Sequence, residues 1–360
     1  MEEQPDFAQH PPTLVPQLAR SYDWSNDHKI LTFSLRDDVT WSDGVPVTAE
    51  DVKWTLEVQK NRAIAWDKAY MKEAITQVDA VDPHTVRFHF SHVYAKQLLD
   101  VNEGVILPMH AWKAFPVEEW RKNPSWFRDH LVVDGPFTID KWEAKKRIIL
   151  KRNDHYYKKS LPYLASVEFL ILSDQEKIVD GLFQGTVDFT PQVSPRDVKR
   201  IRADSRLEVI AYWHRLVVAI AWNNQRPPFD RPEVRRALTM GIDRKAIVDA
   251  VFGSEDASET FGRLATSPIV GSAWAHSRKI TALPFDANKA RQVLATQGFK
   301  IIEGNPTLDG NGKPFTFELA TNLGNLQRGE AALMVRDQLK QLGIQVRPLT
   351  IGFGDLLTLM

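Results

Sequence analysis

Cysteine is absent from all 360 residues. That excludes disulfide scaffolds, thiol nucleophiles and thiolate metal sites, while leaving the cellular compartment open. Charge imbalance is missing as well, since 46 basic side chains face 46 acidic ones. A balanced chain without a concentrated basic patch gives no ground for nucleic-acid or anionic-membrane binding. Long apolar runs are lacking too. The longest, Leu216 to Trp222, is far too short to span a bilayer. The opening MEEQPDFAQHPP is acidic and has no apolar segment, so it does not read as a secretory signal. Catalytic signatures are also wanting: no G-x-S-x-G elbow, Walker loop or H-E-x-x-H occurs. His89 and His92 sit three apart, and a period-two strand would aim them at opposite faces rather than at a shared metal. Asp154-His155 reads as a solvated turn, and Glu118-Glu119 as an exposed helix face. No pair of carboxylates is singled out for hydrolysis. The chain does not read as an enzyme, and nothing calls for a cofactor.

What is present is an ordinary globular composition, 43% hydrophobic and 26% charged, long enough for two or three domains. The most informative stretch is LTFSLRDDVTWSDGVPVTAEDVKWTLE, Leu31 to Glu57. Leu31, Phe33 and Leu35 alternate with Thr32, Ser34 and Arg36, the period of a half-buried strand. Asp43-Gly44 is a turn dipeptide. Thr48 and Asp51 have capping-box spacing, and Val52 and Leu56 begin the buried face of the helix that follows.

Further along, Thr85 to Phe90 alternates as a second strand, and Trp112 to Trp126 reads as short surface helices rich in aromatics. Thr138–Trp142 and Arg147–Arg152 read as paired strands, and Val167–Leu172 as an apolar one. A helix capped by Ser173 and Glu176 runs to Gly185, Val187–Phe189 is a short strand, and Ser194-Pro195 opens another helix. Leu207–Trp213 and Leu216–Trp222 are apolar enough to be central strands buried on both faces. Asp230, Asp243 and Asp286 read as helix caps. Asp309 to Gly312 forms a turn before the strand Phe315–Leu319. A helix from about Gln327 to Leu342 stops at Gly343, and Ile344–Val346 begins a last strand. Helices alternating with strands predict α/β layers. No internal repeat or low-complexity tract appears.

The first of these segments resembles the signature of the family 5 extracellular solute-binding proteins of ABC transporters, the oligopeptide- and dipeptide-binding group. Leu35, Arg36, Trp41, Asp43, Gly44, Pro46, Thr48, Ala49 and Asp51 fill its "LR-x-x-(V/A)-x-(W/F)-x-D/S-D/N-G-x-P-(V/L)-T-A-x-D" run. Three more stretches match in order. They are Asp134-Gly135-Pro136-Phe137 through Trp142 to Arg152-Asn153 and Tyr156-Tyr157; Gly185-Thr186-Val187-Asp188; and Asn223-Asn224-Gln225 through Pro228-Phe229-Asp230, Val234 to Leu238 and Ile242-Asp243-Arg244. Collinear matches along nearly the whole chain are far more specific than any one alone.

The resemblance implies an α/β, two-lobed periplasmic-binding-protein-like fold (type II, cluster C) with an extra domain, incomplete at both ends relative to the family. It implies an additional α/β domain over 1–132, part of a discontinuous hinge-linked first lobe over 133–223, and part of a second lobe over 224–360. It further implies capture of a peptide as an added strand between the lobes, delivery to a membrane permease and its ATPase, and residence in the periplasm or on the outer face of the envelope. A chain lacking both ends is expected to be impaired or dimer-prone. By position in the family pattern, Trp66, Tyr70, Phe189, Thr190, Gln192, Trp213, His214 and Arg215 are the candidate ligand-binding residues, each with ordinary packing or exposure as its competing explanation. Arg36, Asp43, Gly44 and Asp51 are assigned to structure. An oligosaccharide, a nickel chelate or an opine remains an alternative ligand, and the sensor domain of a regulator an alternative role.

Overall fold

The computed structural model describes residues 1–4, 8, 10–172, 174–213, 215–253 and 260–359. They group into two compact units, one mainly Pro12–Ile171 and the other mainly Leu172–Met360. This division is coarser than segments 1–132, 133–223 and 224–360, and its boundary coincides with neither of theirs.

In the first unit, β1 (Glu2–Glu3) and β2 (Leu14–Val15) form a small antiparallel pair. β3 (Ala19–Trp24), β4 (Ile30–Leu35), β5 (Ile75–Asp82) and β6 (Thr85–Phe90) form an antiparallel sheet in the order β3-β4-β6-β5. Register explains the expected alternation: Leu31 pairs with Phe88 and Phe33 with Val86 on one face, and all four side chains are buried. Helix α1 (Ala49–Lys60) lays Ala49, Val52 and Leu56 on that face. Its start follows the capping prediction: the Thr48 amide donates to Asp51 Oδ2 at 2.9 Å. Asp51 does more than cap. Its Oδ1 accepts the Met109 amide at 2.9 Å, and Thr55 one turn on accepts the Leu107 amide at 2.9 Å. The returning segment is thereby stitched to the helix. The Asp43 turn is held similarly, with Oδ1 accepting the Val45 amide and Oδ2 paired with His110 Nε2 at 2.7 Å. Arg36 makes a two-point pair with Asp38 and covers the Tyr157 ring at 4.7 Å.

After α2 (Gln97–Asn102), the expected short helices appear as α3 (Met109–Trp112), a 3-10 turn at Val117–Glu119 and α4 (Pro124–Asp129). They are not merely a surface decoration. Trp120 is buried and meets Trp54, Trp112 and Phe127 edge-on, with centroids 4.8–6.0 Å apart, an arrangement the ring quadrupole favours. β7 (Phe137–Glu143), β8 (Arg147–Arg152) and β9 (Ser166–Leu170) form a second antiparallel sheet. The apolar end of β9 is exposed, with Phe169 54% accessible.

In the second unit, α5 (Gln175–Gln184) ends at Gly185 as expected. Its cap is Asp174, which accepts the Glu176 amide at 2.9 Å, and the predicted cap Ser173 lies outside the described residues. Ser194 caps α6 (Pro195–Arg202). Helix α7 (Pro232–Met240) corrects the reading of Asp230 as its cap: Pro232, with φ pre-set for the first helical turn, starts the helix with Arg231 in the cap position. Asp243 and Asp286 cap α8 (Arg244–Phe252) and α9 (Ala287–Thr296) through the Ala246 and Lys289 amides. β10 (Thr316–Asn322), α10 (Leu326–Lys340) and β11 (Gln345–Ile351) form a βαβ unit with the strands parallel, and α11 (Phe353–Thr358) follows. Leu238, Leu294, Leu339 and Ile344 form the centre of this core.

Three predicted strands are absent. Val187–Phe189, Leu207–Trp213 and Leu216–Trp222 lie outside every sheet, and Ile210, Tyr212, Leu216 and Val218 are exposed rather than buried on both faces. Apolarity supplies a strand with a face but not with a hydrogen-bonding neighbour, and a strand exists only as part of a ladder. Only the inner end of the last segment is packed. There Trp222 stacks on Phe229 at 5.1 Å, and Ile220 and Trp222 lean on the second unit's core.

Candidate functional site

Trp66 follows α1 and is half-buried. It stands after Ala65, a non-glycine residue at φ +49°, in a left-handed conformation that costs L residues energy and persists only where the surroundings enforce it. Opposite the ring is Gly104 at φ +94°. A Cβ there would lie 3.3 Å from two Trp66 ring carbons, and the positive φ would strain any L side chain, so glycine suits this close approach. Tyr70, one turn on in the 3-10 helix Ala69–Lys72, is 64% exposed.

Lys72, two residues after Tyr70 at the end of the same 3-10 helix, is 1% exposed. Its ammonium lies 5.7 Å from the Trp66 ring centroid and donates to the carbonyls of Asp100, Val101 and Glu103, capping the C-terminus of α2 where positive charge is favoured. Burial pushes the Lys72 pKa down to about 8 from 10.5, against the opposing pull of Glu103 and Asp100. The unfolded chain thus holds a proton that the folded chain has released between these values, and stability rises with pH across that window. The unfolding free energy of the wild type minus that of Lys72→Met is expected to grow by about 3 kcal/mol between pH 8 and 10.5. Urea melts at four pH values check this, and a flat difference refutes it.

The second unit carries the other candidates. Phe189 is 78% exposed, and the Thr190 hydroxyl donates to the Gln192 carbonyl at 3.2 Å. Gln175 Nε2 donates to the same carbonyl at 3.1 Å, tying the segment to the start of α5. Trp213 is 46% exposed, and the Arg263 guanidinium lies 3.9 Å over its ring centroid. Arg215 is exposed, and His214 lies outside the described residues. Thr190 and Gln192 are therefore brought together, while Trp213 acquires a cation that reading the sequence did not select. No local signal pointed to Arg263, which is fifty positions away. Gly104 and Lys72 were missed too, the first although glycine is a turn marker, the second because nothing in sequence distinguishes a buried lysine from a solvated one.

What this surface offers chemically is recognition. Trp213 with Arg263 presents an aromatic ring beside guanidinium donors, suited to an apolar group next to a carbonyl or carboxylate. His89 pairs with Asp79 at 2.7 Å and His92 with Ser91 at 2.9 Å, so each histidine has its own partner. Among the described residues no group of three or more His, Asp or Glu side chains could hold a metal ion. Among them, too, no helix is long and apolar enough to cross a membrane.

Comparison with known proteins gives one family. The model of bacterial extracellular solute-binding proteins, family 5, matches residues 13–356. The oligopeptide-binding protein AppA of Bacillus subtilis is 29% identical over 331 residues, covering 91% of this chain and 59% of AppA. The solved structure of that AppA, in complex with a nonapeptide, superposes with a TM-score of 0.86 at 26% identity, over 99% of this chain and 69% of the other. NikZ of Campylobacter jejuni, solved with Ni(L-His), is similar in fold: TM-score 0.79, 22% identity, 95% and 66% coverage. The chain spans about 60% of the length of the curated relatives it matches.

Proposed function

Since the chain belongs to the family 5 bacterial extracellular solute-binding proteins, whose α/β fold it shares, we propose that it is the peptide-capturing component of an ABC importer. The family is one of solute-binding transport components, not of enzymes. In this reading the chain takes up peptides outside the cytoplasmic membrane, in the periplasm or on the outer face of the envelope, and passes them to a permease driven by an ATPase. The observation that carries the reading is the likeness to oligopeptide-binding AppA, in sequence over 91% of the chain and in structure at a TM-score of 0.86.

Peptides suit the chemistry at the candidate residues. A peptide backbone offers carbonyls to guanidinium donors, and its side chains offer apolar groups to exposed rings such as Phe189 and Trp213. In this proposal segments 1–132, 133–223 and 224–360 keep the roles implied by the family pattern. Trp66 and Tyr70 act from the first unit, and Phe189, Thr190, Gln192, Trp213, His214 and Arg215 from the second.

Calorimetric titration with a nonapeptide, a dipeptide, a hexasaccharide and nickel–histidine tests the proposal. Saturable heat is expected with peptide alone. Binding of the sugar or the nickel complex with silence from both peptides would replace it, and turnover of the peptide would restore an enzyme. Trp213→Ala is expected to weaken peptide binding about tenfold, with the melting temperature unchanged because the ring is half exposed. Unaltered affinity would remove Trp213 from the site.

A further inference from the structure

We infer that the first unit contains a second binding site, for a small neutral ring compound, in the recess between Trp66 and Trp120, sharing only Trp66 with the residues proposed to meet peptide. The recess measures about 220 Å³. That is larger than the ~150 Å³ apolar cavity that remains dry and admits benzene in another protein. Val58, Ile64 and Leu107 supply its aliphatic lining and the two tryptophans its aromatic walls. Gln59 brings a single amide, able to meet one polar atom of a ligand. No charged side chain lines it.

The walls are held from outside the recess. Trp120 Nε1 donates to the Phe115 carbonyl at 3.0 Å, and Trp54, Trp112 and Phe127 brace its ring. Trp66 is positioned by the left-handed Ala65, by the close approach of Gly104 and by the Lys72 ammonium. Lys72 is anchored to the carbonyls of Asp100, Val101 and Glu103, directly before Gly104, so the backbone beside the recess is fixed as well. Rims of this kind reduce what a ligand must order on binding. Of the lining residues Val105 is the most exposed, at 73%, and is taken as the rim.

The occupant that fits is planar, uncharged and about the size of one or two fused rings, with one polar atom for Gln59. A charged ligand would be desolvated without a counter-charge in the lining. A flat ring can lie against indole faces and exclude water from the aliphatic side chains.

Indole is the probe. Calorimetry on the 360-residue chain is expected to give saturable one-to-one heat, and crystals soaked in indole to show it between Trp66 and Trp120. Val105→Trp, placed at the exposed rim, is expected to weaken indole binding at least tenfold with an unchanged circular dichroism spectrum. Ile64→Phe, which fills the recess from within, is expected to act likewise, so that the conclusion does not depend on one variant. Absence of saturable heat up to the solubility limit of indole would overturn the proposal. So would density at another place, or wild-type affinity in both folded variants.

Discussion

Asp51→Ala is expected to lower the unfolding free energy by about 3 kcal/mol, a large share of the stability of an ordinary domain. Asp51 is 4% exposed, and its two oxygens serve two different backbone amides, Thr48 at the helix start and Met109 on the returning segment. Losing an N-cap partner costs about 1 kcal/mol. Leaving the part-buried Met109 amide without its acceptor adds about 1–3 kcal/mol, because water only partly replaces the lost bond. Asp286→Ala is the internal comparison, since Asp286 is exposed and accepts one amide, that of Lys289. Its loss is expected to cost only about 1 kcal/mol. Urea unfolding of both variants settles the matter. Equal small losses would show that the Met109 bond contributes nothing.

Gly343→Ala is expected to cost as much or more, for steric reasons. Gly343 follows α10 at φ +73°, where the Gly343 amide donates to the Lys340 carbonyl at 2.9 Å and the Ile344 amide to Leu339 at 3.1 Å. The chain crosses here beside the backbone of 305–307. The Thr307 amide donates to the Gly343 carbonyl at 2.8 Å, and the Thr307 hydroxyl to Leu342 at 2.5 Å. An added Cβ would sit 2.6 Å from the Asn305 carbonyl oxygen and 2.7 Å from the Thr307 nitrogen. Backbone atoms tied into this network cannot yield as a flexible side chain would. The left-handed conformation alone costs an L residue roughly 1–2 kcal/mol, and relieving the overlap should bring the total to about 3–4 kcal/mol. Gly324 separates the two contributions: it stands at φ +83° with nothing within 4 Å of its added Cβ. Gly324→Ala should therefore show the conformational cost alone. If both variants melt together, the crossing at Thr307 is looser than its hydrogen bonds indicate.

Gly343 also marks how far the sequence could be read. As the stop of the helix from about Gln327 to Leu342 it was legible, because that signal is local. Its approach to Thr307 was not, because the two meet only after thirty-odd intervening residues have folded. Asp51 divides the same way, with the cap evident from its spacing to Thr48 and the bond to Met109 hidden. Among the candidate residues, Trp66 in the first unit and Trp213 in the second were selected from position in the family pattern, whereas the partners that hold them, Gly104, Lys72 and Arg263, were not. The misread segments fail for a related reason. Leu207–Trp213 and Leu216–Trp222 have the composition of buried strands, but composition does not say which backbone will pair with them.

The sequence by itself determined most of the helix caps, the strands β4 and β6, the pairing of β7 with β8 and the family, since each is written in neighbouring residues or in an ordered run of motifs. Tertiary structure alone decided which apolar stretches are covered, which lysine loses its water and which cation meets which ring. The physical reason is range. Capping and side-chain alternation act over a few residues, whereas burial and ladder pairing depend on surfaces that exist only once distant parts of the chain have come together.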